Sequence, residues 1–382
     1  MKYKKLLQCL LFIICLCVNG CQQADTSIKD KTEENDVIDK PVVEKTIEDS
    51  IPLEGFDGYD FTPIAVMENG WIVGNLTSTE DGTKKIGYID IKTNKKNIIK
   101  ELDFNSESSG AYYIDSSDKY LVFVESVTGY INTSKVYVFS LETSEYKLIY
   151  EREESLVFVP IEGTLHEKKL YLNYPEDIAY QTHCFDLSNN TSTLVVERNS
   201  SAPVFVGNEM YYLDIDNEKR VTTVISEKGE ISISMDMLEN SFIRDLKTDG
   251  RDLYLFIYGN DENHIPHTIC IKYDLNKNTQ EELFRVEGYT DSAQVNDRYI
   301  TWWNPRDLEE GRIHTKYSLY DLKNREEIEY KDSVIWLSKD SMLWTKFNKD
   351  QAEIEKGKIF SDNNSTLMYL DGLSFKEEER GE

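Results

Sequence analysis

The sequence predicts an all-β chain, a seven-bladed β-propeller of four-stranded antiparallel blades. Three observations carry that expectation. A register of apolar residue, Asp or Ser, apolar residue and polar turn recurs seven times at intervals of about 40 to 50 residues. A second marker, a tight polar turn leading into an aromatic strand, holds a fixed place about twenty residues upstream of the first. No segment between the copies has the spacing of a helical crossover.

The first marker is clearest in Thr268 to Phe284, an alternating strand, the turn Asn276-Lys277-Asn278 and a second strand. Its copies centre on Asp90, Ser140, Asp186, Ser226, Asp274, Asp321 and Asp371. The copy at Ser226 is the poorest, and the one at Asp371 lacks a convincing final strand. The second marker opens at Asn69-Gly70-Trp71, Ser117 to Tyr120, Glu167 to Tyr171, Gly207 to Tyr211, Asp249 to Tyr254, Asn296 to Tyr299 and Lys339 to Trp344. Asn, Asp and Gly suit such turns because hairpin turns often need a positive φ.

Each copy therefore parses as strand, tight turn, strand, longer loop, strand, tight turn, strand. In the second copy these strands are Ala111 to Asp115, Tyr120 to Glu125, Lys135 to Leu141 and Tyr146 to Glu151. Runs such as Tyr120 to Val124 and Tyr254 to Tyr258 are apolar on both faces, as a strand with packed neighbours on both sides requires. An open β-solenoid or two separate β-domains are the other architectures compatible with the repeat. A closed ring leaves only short, protected edges. Ring closure is expected from Phe56 to Phe61 or from Leu373 to Phe375.

The N-terminus carries a positive segment, Met1 to Lys5, and an apolar run from Leu6 to Val18, the layout of a secretory leader. The run is too short to span a bilayer comfortably as a helix. It ends in Val18-Asn19-Gly20-Cys21, which resembles the lipobox of bacterial lipoproteins, with Asn19 a mild departure. That resemblance implies a diacylglycerol thioether on Cys21 as the mature N-terminus, and two acyl chains suffice for stable anchoring. The expected organisation is a leader over 1–20, a disordered acidic tether over 21–55 and a propeller over 56–382. A flexible tether of that length spans about 30 Å. Apart from Cys21, the mature chain keeps Cys184 and Cys270, expected as buried free thiols.

The leader, the tether and the repeat together resemble the TolB-like and WD40-like β-propeller lipoproteins of bacteria. The resemblance covers nearly the whole chain and implies a fold and an extracytoplasmic, lipid-anchored location at the cell membrane more than an activity. The Trp-Asp and Gly-His signatures of eukaryotic WD40 blades are absent.

A formal net charge of −27 argues against nucleic acid as a partner, because phosphate backbones would be repelled. The loops between second and third strands are read as long, from Asn75 to Lys85, Ser126 to Ser134, Tyr174 to Gln181, Gly259 to His267, Asn304 to His314 and Asn348 to Thr366. Long loops on a rigid scaffold are where recognition usually resides. Tyr130, Tyr174, Tyr180, Trp302 and Trp303 stand near them as aromatic anchors or, alternatively, as blade packing. Asp261, Glu262, His264 and His267 form the one cluster with metal-ligand chemistry, but their spacing fits no standard closed site. Leu213 to Glu218 lacks the Gly of an EF-hand loop, and Ser78 to Thr83 is a single imperfect Asp box; both read as turns. A nucleophile elbow and a visible triad are missing. No catalytic, metal or cofactor residue is expected. The reading is a non-catalytic binding or scaffolding module for a protein, peptide or glycan on the long-loop face. The alternatives are a carbohydrate-active hydrolase or lyase using acidic residues, and a sensor lipoprotein partnered with a membrane kinase or transporter.

Overall fold

A computed structural model describes residues 51–370 apart from 54–55, 130, 156–159, 177–178, 220, 236, 305–315, 331–333, 340 and 348–364. Cys21, the leader, most of the tether, Tyr130 and Leu373 to Phe375 lie outside the described residues. So do most of the loops at Asn304 to His314 and Asn348 to Thr366.

The described chain is all β and antiparallel. Blade 1 is β2 to β5 (Tyr59–Val66, Trp71–Ser78, Lys84–Asp90, Lys95–Glu101). Blade 2 is β6 to β9 (Ser109–Ser116, Tyr120–Val127, Ile131–Ser140, Glu145–Ser155), and blade 3 is β10 to β13 (Glu162–His166, Lys169–Glu176, Ala179–Asp186, Thr191–Val196). Blade 4 is β14 to β17 (Val204–Val206, Glu209–Asp216, Val221–Ser226, Gly229–Ile231). Blade 5 is β18 to β21 (Glu239–Thr248, Leu253–Asn260, Pro266–Asp274, Thr279–Glu287), and blade 6 is β22 to β25 (Asp291–Val295, Tyr299–Asn304, Lys316–Asp321, Glu326–Tyr330).

The expected seven-bladed ring is thereby corrected to six blades of four consecutive strands. The remaining sheet is composite. It joins β26 (Ile335–Leu337), β27 (Met342–Phe347) and β28 (Ser365–Leu370) to β1 (Ile51–Leu53), which pairs antiparallel with β28 through Ile51 and Tyr369. The physical reason is that the C-terminal copy supplies three described strands, and its open edge takes hydrogen bonds from the beginning of the chain. Closure therefore runs through β1 and not through the expected Phe56 to Phe61, while Leu373 to Phe375 lies outside the described residues. Phe61 belongs to the innermost strand of blade 1, where Phe56 packs against it at 5.3 Å. The closing strand lies inside the stretch read as tether.

The register marker has a direct physical meaning. Asp90, Asp186, Asp274 and Asp321 each accept, through Oδ1, the backbone N–H two residues on, at 2.8 to 3.0 Å. This Asx turn starts the hairpin between third and fourth strands. Its last residue takes a left-handed conformation at Asn94, Ser144, Asn190, Asn278 and Arg325. In blade 4 the hairpin shortens, Ser226 Oγ accepts from Lys228 N and Gly229 supplies the positive φ. The fourth strand of that blade has only three residues. The second marker works alike: Asn69 accepts from Trp71 N, and Asn296 from Arg298 N and Tyr299 N.

The cores lie between blades. Leu121, Phe123 and Phe139 of blade 2 pack with Met67, Val73 and Ile86 of blade 1. Trp302 and Ile300 of blade 6 pack with Tyr254, Phe256 and Cys270 of blade 5. Polar stitches accompany them. The Asn75 side chain bonds both backbone groups of Ala111 in the next blade, at 2.7 and 2.8 Å. Lys100 donates to Glu125 Oε2 at 2.9 Å, and Glu125 Oε1 accepts from Phe104 N at 2.8 Å. Both charged groups are almost wholly buried.

Candidate functional site

The innermost strands of the blades wall the central channel. Four of them, β2, β6, β18 and β22, break register against their second strands, between Pro63 and Ala65, Tyr113 and Asp115, Ile243 and Asp245, and Asp291 and Gln294. Such bulges re-aim side chains. The residue just past the break is Ala65 in blade 1, Asp115 in blade 2, Asp245 in blade 5 and Gln294 in blade 6.

Two of these polar residues reach the next blade. Asp115 Oδ2 accepts the Leu165 N–H of β10 at 2.6 Å and Oδ1 accepts Ser116 N–H at 2.8 Å. Burial pushes the Asp115 carboxyl up to about 6 in spite of those donors. Gln294 Oε1 accepts Leu337 N–H at 2.8 Å and its amide faces Ile335 O at 3.4 Å, across to β26. Asp245 behaves differently. It accepts from its own neighbour Leu246 N at 2.9 Å and pairs with Lys247 Nζ at 3.2 Å. Among the described residues it bonds no backbone group of blade 6.

Around Asp245 the channel collects charge from three blades. Lys247 on β18 lies within electrostatic reach of Asp245, Glu162 at the head of β10 and Asp291 at the head of β22. Burial works to lower the Lys247 pKa, but the three carboxylates more than offset it, so the ammonium is held charged. Burial raises the Glu162 carboxyl, with Lys247 opposing. These groups are enclosed yet wet: Glu162 is exposed, and the side chains of Lys247 and Asp291 are 38% and 54% accessible. A solvent-filled channel within the protein accounts for both properties.

Arg244, the extra residue of the β18 bulge, stands at the same place. Its guanidinium lies 5.3 Å from the centroid of the Tyr289 ring, and Tyr289 stacks on Tyr258 at 4.2 Å. Its nearest carboxylate is Asp291 at 3.8 Å, beyond hydrogen-bond distance. Among the described residues the Arg244 guanidinium donates no hydrogen bond. A charged fork over an aromatic pair, beside a wet cluster of carboxylates and an ammonium, offers both hydrogen bonding and stacking to a ligand.

The residues singled out in the sequence fall elsewhere. Tyr174 and Trp302 are buried packing residues; Tyr174 stacks on Tyr150 and His183, and Trp302 on Phe284. Tyr180 and Trp303 are half-buried. Asp261 caps its own turn, accepting from Asn263 N and Ile265 N, while His264 faces Glu239 at 3.7 Å and His267 faces Ile265 O. Among the described residues no group of three His, Cys, Asp or Glu is placed to hold a metal ion. Asp216 and Asp81 cap turns too, and hydrogen bonds from Thr83 and Ser78 bring the Asp81 carboxyl down to about 2. Cys184 and Cys270 are buried free thiols.

The long-loop expectation is also corrected in blades 1, 2, 3 and 5. Strand pairing runs on into the segments read as loops, with Glu176 opposite Ala179 and Asn260 opposite Pro266. Only 79–83 and 261–265 remain as connections in blades 1 and 5. Clefts do open between blades at the opposite, tight-turn face. One of them, of about 480 Å³, lies between blades 4 and 5. Within it Lys228 pairs with Glu209, and Arg251 with Asp249 and Asp297.

Comparison with protein-family models and with curated protein sequences yields no match. Solved structures with a similar fold are numerous. An oligogalacturonate lyase from Vibrio parahaemolyticus matches with TM-score 0.51 at 10% identity, over 84% of this chain and 91% of that one. The β-propeller domain of the Trilobed protease from Pyrococcus furiosus matches with TM-score 0.48 at 14% identity, over 71% and 81%. TolB from Acinetobacter baumannii matches with TM-score 0.44 at 10% identity, over 69% and 63%. The chain is thus a β-propeller of antiparallel four-stranded blades, and at these identities the likeness is one of fold.

Proposed function

We propose that this protein is a binding propeller, held outside the cytoplasm by a lipid on Cys21, that takes a protein, peptide or glycan at the channel walled by blades 3, 5 and 6. The observation that carries the reading is Arg244, Asp245 and Lys247 on one bulged inner strand, facing Glu162 and Asp291. Unlike Asp115 and Gln294, Asp245 bonds no described backbone group of the next blade, and Arg244 meets Asp291 of blade 6 only at 3.8 Å. A protein keeps charged, partly desolvated groups without such a role where a ligand completes their pairing. The stacked Tyr258 and Tyr289 supply the apolar part of that contact.

The test is a photoreactive residue at position 289 in intact cells. A specific adduct is expected, and it should disappear in an Arg244→Ala, Asp245→Asn variant while surviving His264→Ala. An adduct indifferent to the first variant would remove the channel as the site. For the anchor, Cys21→Ala should release the protein or leave the leader uncleaved; membrane retention with normal cleavage would end that assignment.

A second reading draws on Glu162, whose raised carboxyl in an enclosed channel suits a general acid. One neighbour of this fold is named an oligogalacturonate lyase. The charged state of Lys247 argues against that side chain as a general base. Turnover of acidic oligosaccharides that falls with Glu162→Gln would replace binding by catalysis.

A further inference from the structure

The outer strands of the blades differ sharply in how they present their free edges. An unpaired edge invites another strand, and soluble proteins usually guard it with charge. β5 carries Lys95, Lys96 and Glu101; β9 carries Glu145, Lys147, Glu151 and Glu153. β21 carries Glu281, Glu282, Arg285 and Glu287, and β25 carries Glu326 and Glu327. β17 is only three residues long. β13 reads Thr-Ser-Thr-Leu-Val-Val, with no charge, and Thr191 to Val195 are all exposed. Among the described residues it is the last strand of its sheet and pairs with β12 alone, regular from Thr191 to Leu194 before a bulge at Val195.

We propose that β13 is a dimerisation edge, on which a second copy of this chain pairs its own β13 antiparallel about a twofold axis. Charge decides the occupant. A twofold interface sets each patch against itself, so any outer edge rich in one sign meets like charge. With a net charge of −27, two copies approach most readily where the surface is uncharged. Among the described outer strands of full length, β13 alone meets that condition. The ends match as well: Glu197 and Arg198 follow the strand, and antiparallel pairing brings them toward the partner's start, where Asn189 and Asn190 carry no charge. The neighbouring rims add apolar surface, with Tyr146 and Leu148 exposed on β9 and Val221 on β16. Leu194 itself is 46% exposed and Val195 41%.

The test uses the full chain in mild detergent, its mass followed by light scattering over roughly a hundredfold range of concentration. A monomer–dimer equilibrium is expected, strengthened by added salt because screening weakens the global repulsion. Leu194→Lys and Leu194→Glu should each weaken the dimer by roughly tenfold or more, and mixing the two should restore it, because opposite charges then face across the axis. Leu194 is exposed in the free chain, so both variants should keep the wild-type Tm. A wild-type chain that stays monomeric throughout, even in high salt, overturns the proposal. So does a dimer untouched by both substitutions, a mixture that fails to restore it, or recovery of one copy with a strand of a different protein on the edge.

Discussion

Blades 2 and 5 use one bulge and one Asp for opposite ends. In blade 2, Asp115 turns to the next inner strand and takes the Leu165 N–H, so the carboxylate becomes part of the ring. In blade 5, Asp245 occupies the counterpart position, keeps the same bond to its following N–H, and faces Lys247 in the wet channel. The local geometry is shared; the neighbour differs. A propeller thus needs only some of its inter-blade positions for cohesion, and the rest are open to recognition.

The largest effect that should sharpen this contrast lies in the stitching itself. Glu125→Ala leaves the Phe104 N–H unsatisfied and Lys100 with only the part-exposed Asp103 carboxylate at 2.7 Å, and denaturant unfolding should show a loss of about 3 kcal/mol. Replacing both ions by Leu and Met should recover much of it, because the ion pair also carries a desolvation cost. Next comes Asp115→Ala, which orphans two backbone donors and should cost about 1–3 kcal/mol.

Asp115→Asn probes the same position through pH. The folded carboxyl titrates near 6 against 3.8 as the ordinary value, so the native state binds the extra proton between those limits. The stability from that proton is fully present below about pH 4 and is lost as pH rises through about 6. The Tm of wild type relative to Asp115→Asn should therefore fall by a few degrees between pH 4 and pH 7. A flat difference would mean that the carboxyl is not raised. The smallest effect belongs to Asp245→Ala, with a stability change below about 1 kcal/mol and a clear loss of the channel adduct. If Asp245→Ala proved as damaging as Asp115→Ala, the contrast between the two blades would disappear.

Much of the architecture was readable because its turns repeat. Asp90, Asp186, Asp274 and Asp321 are visible in the sequence as a period, and the structure shows why: each caps the hairpin that ends its blade. Ring closure escaped because Ile51-Pro52-Leu53 is too short to display alternation and stands beside a charged stretch. The loops of blades 1 and 5 were drawn too long because polar strand ends such as Thr77 and Asn260 read as turn residues, although they pair to the last position. The channel cluster was invisible for another reason. Glu162, Asp245 and Asp291 lie far apart in sequence, and a bulge leaves no compositional trace. The one local hint is Arg244-Asp245-Leu246-Lys247, where three charged residues follow Phe242 and Ile243 in an inner strand.

The pairing of β1 with β28 also dictates an order of events. Ile51 to Leu53 are among the first residues of the domain to be made, and Ser365 to Leu370 among the last, so some three hundred residues must be in place before the two can meet. Closing a loop of that length costs about 5 kcal/mol of chain entropy, against only three residue pairs. The seam can form only once the blades have already brought its halves together. Folding of this ring therefore ends where its sequence begins, and until then the edge of β28 is open to any strand that passes.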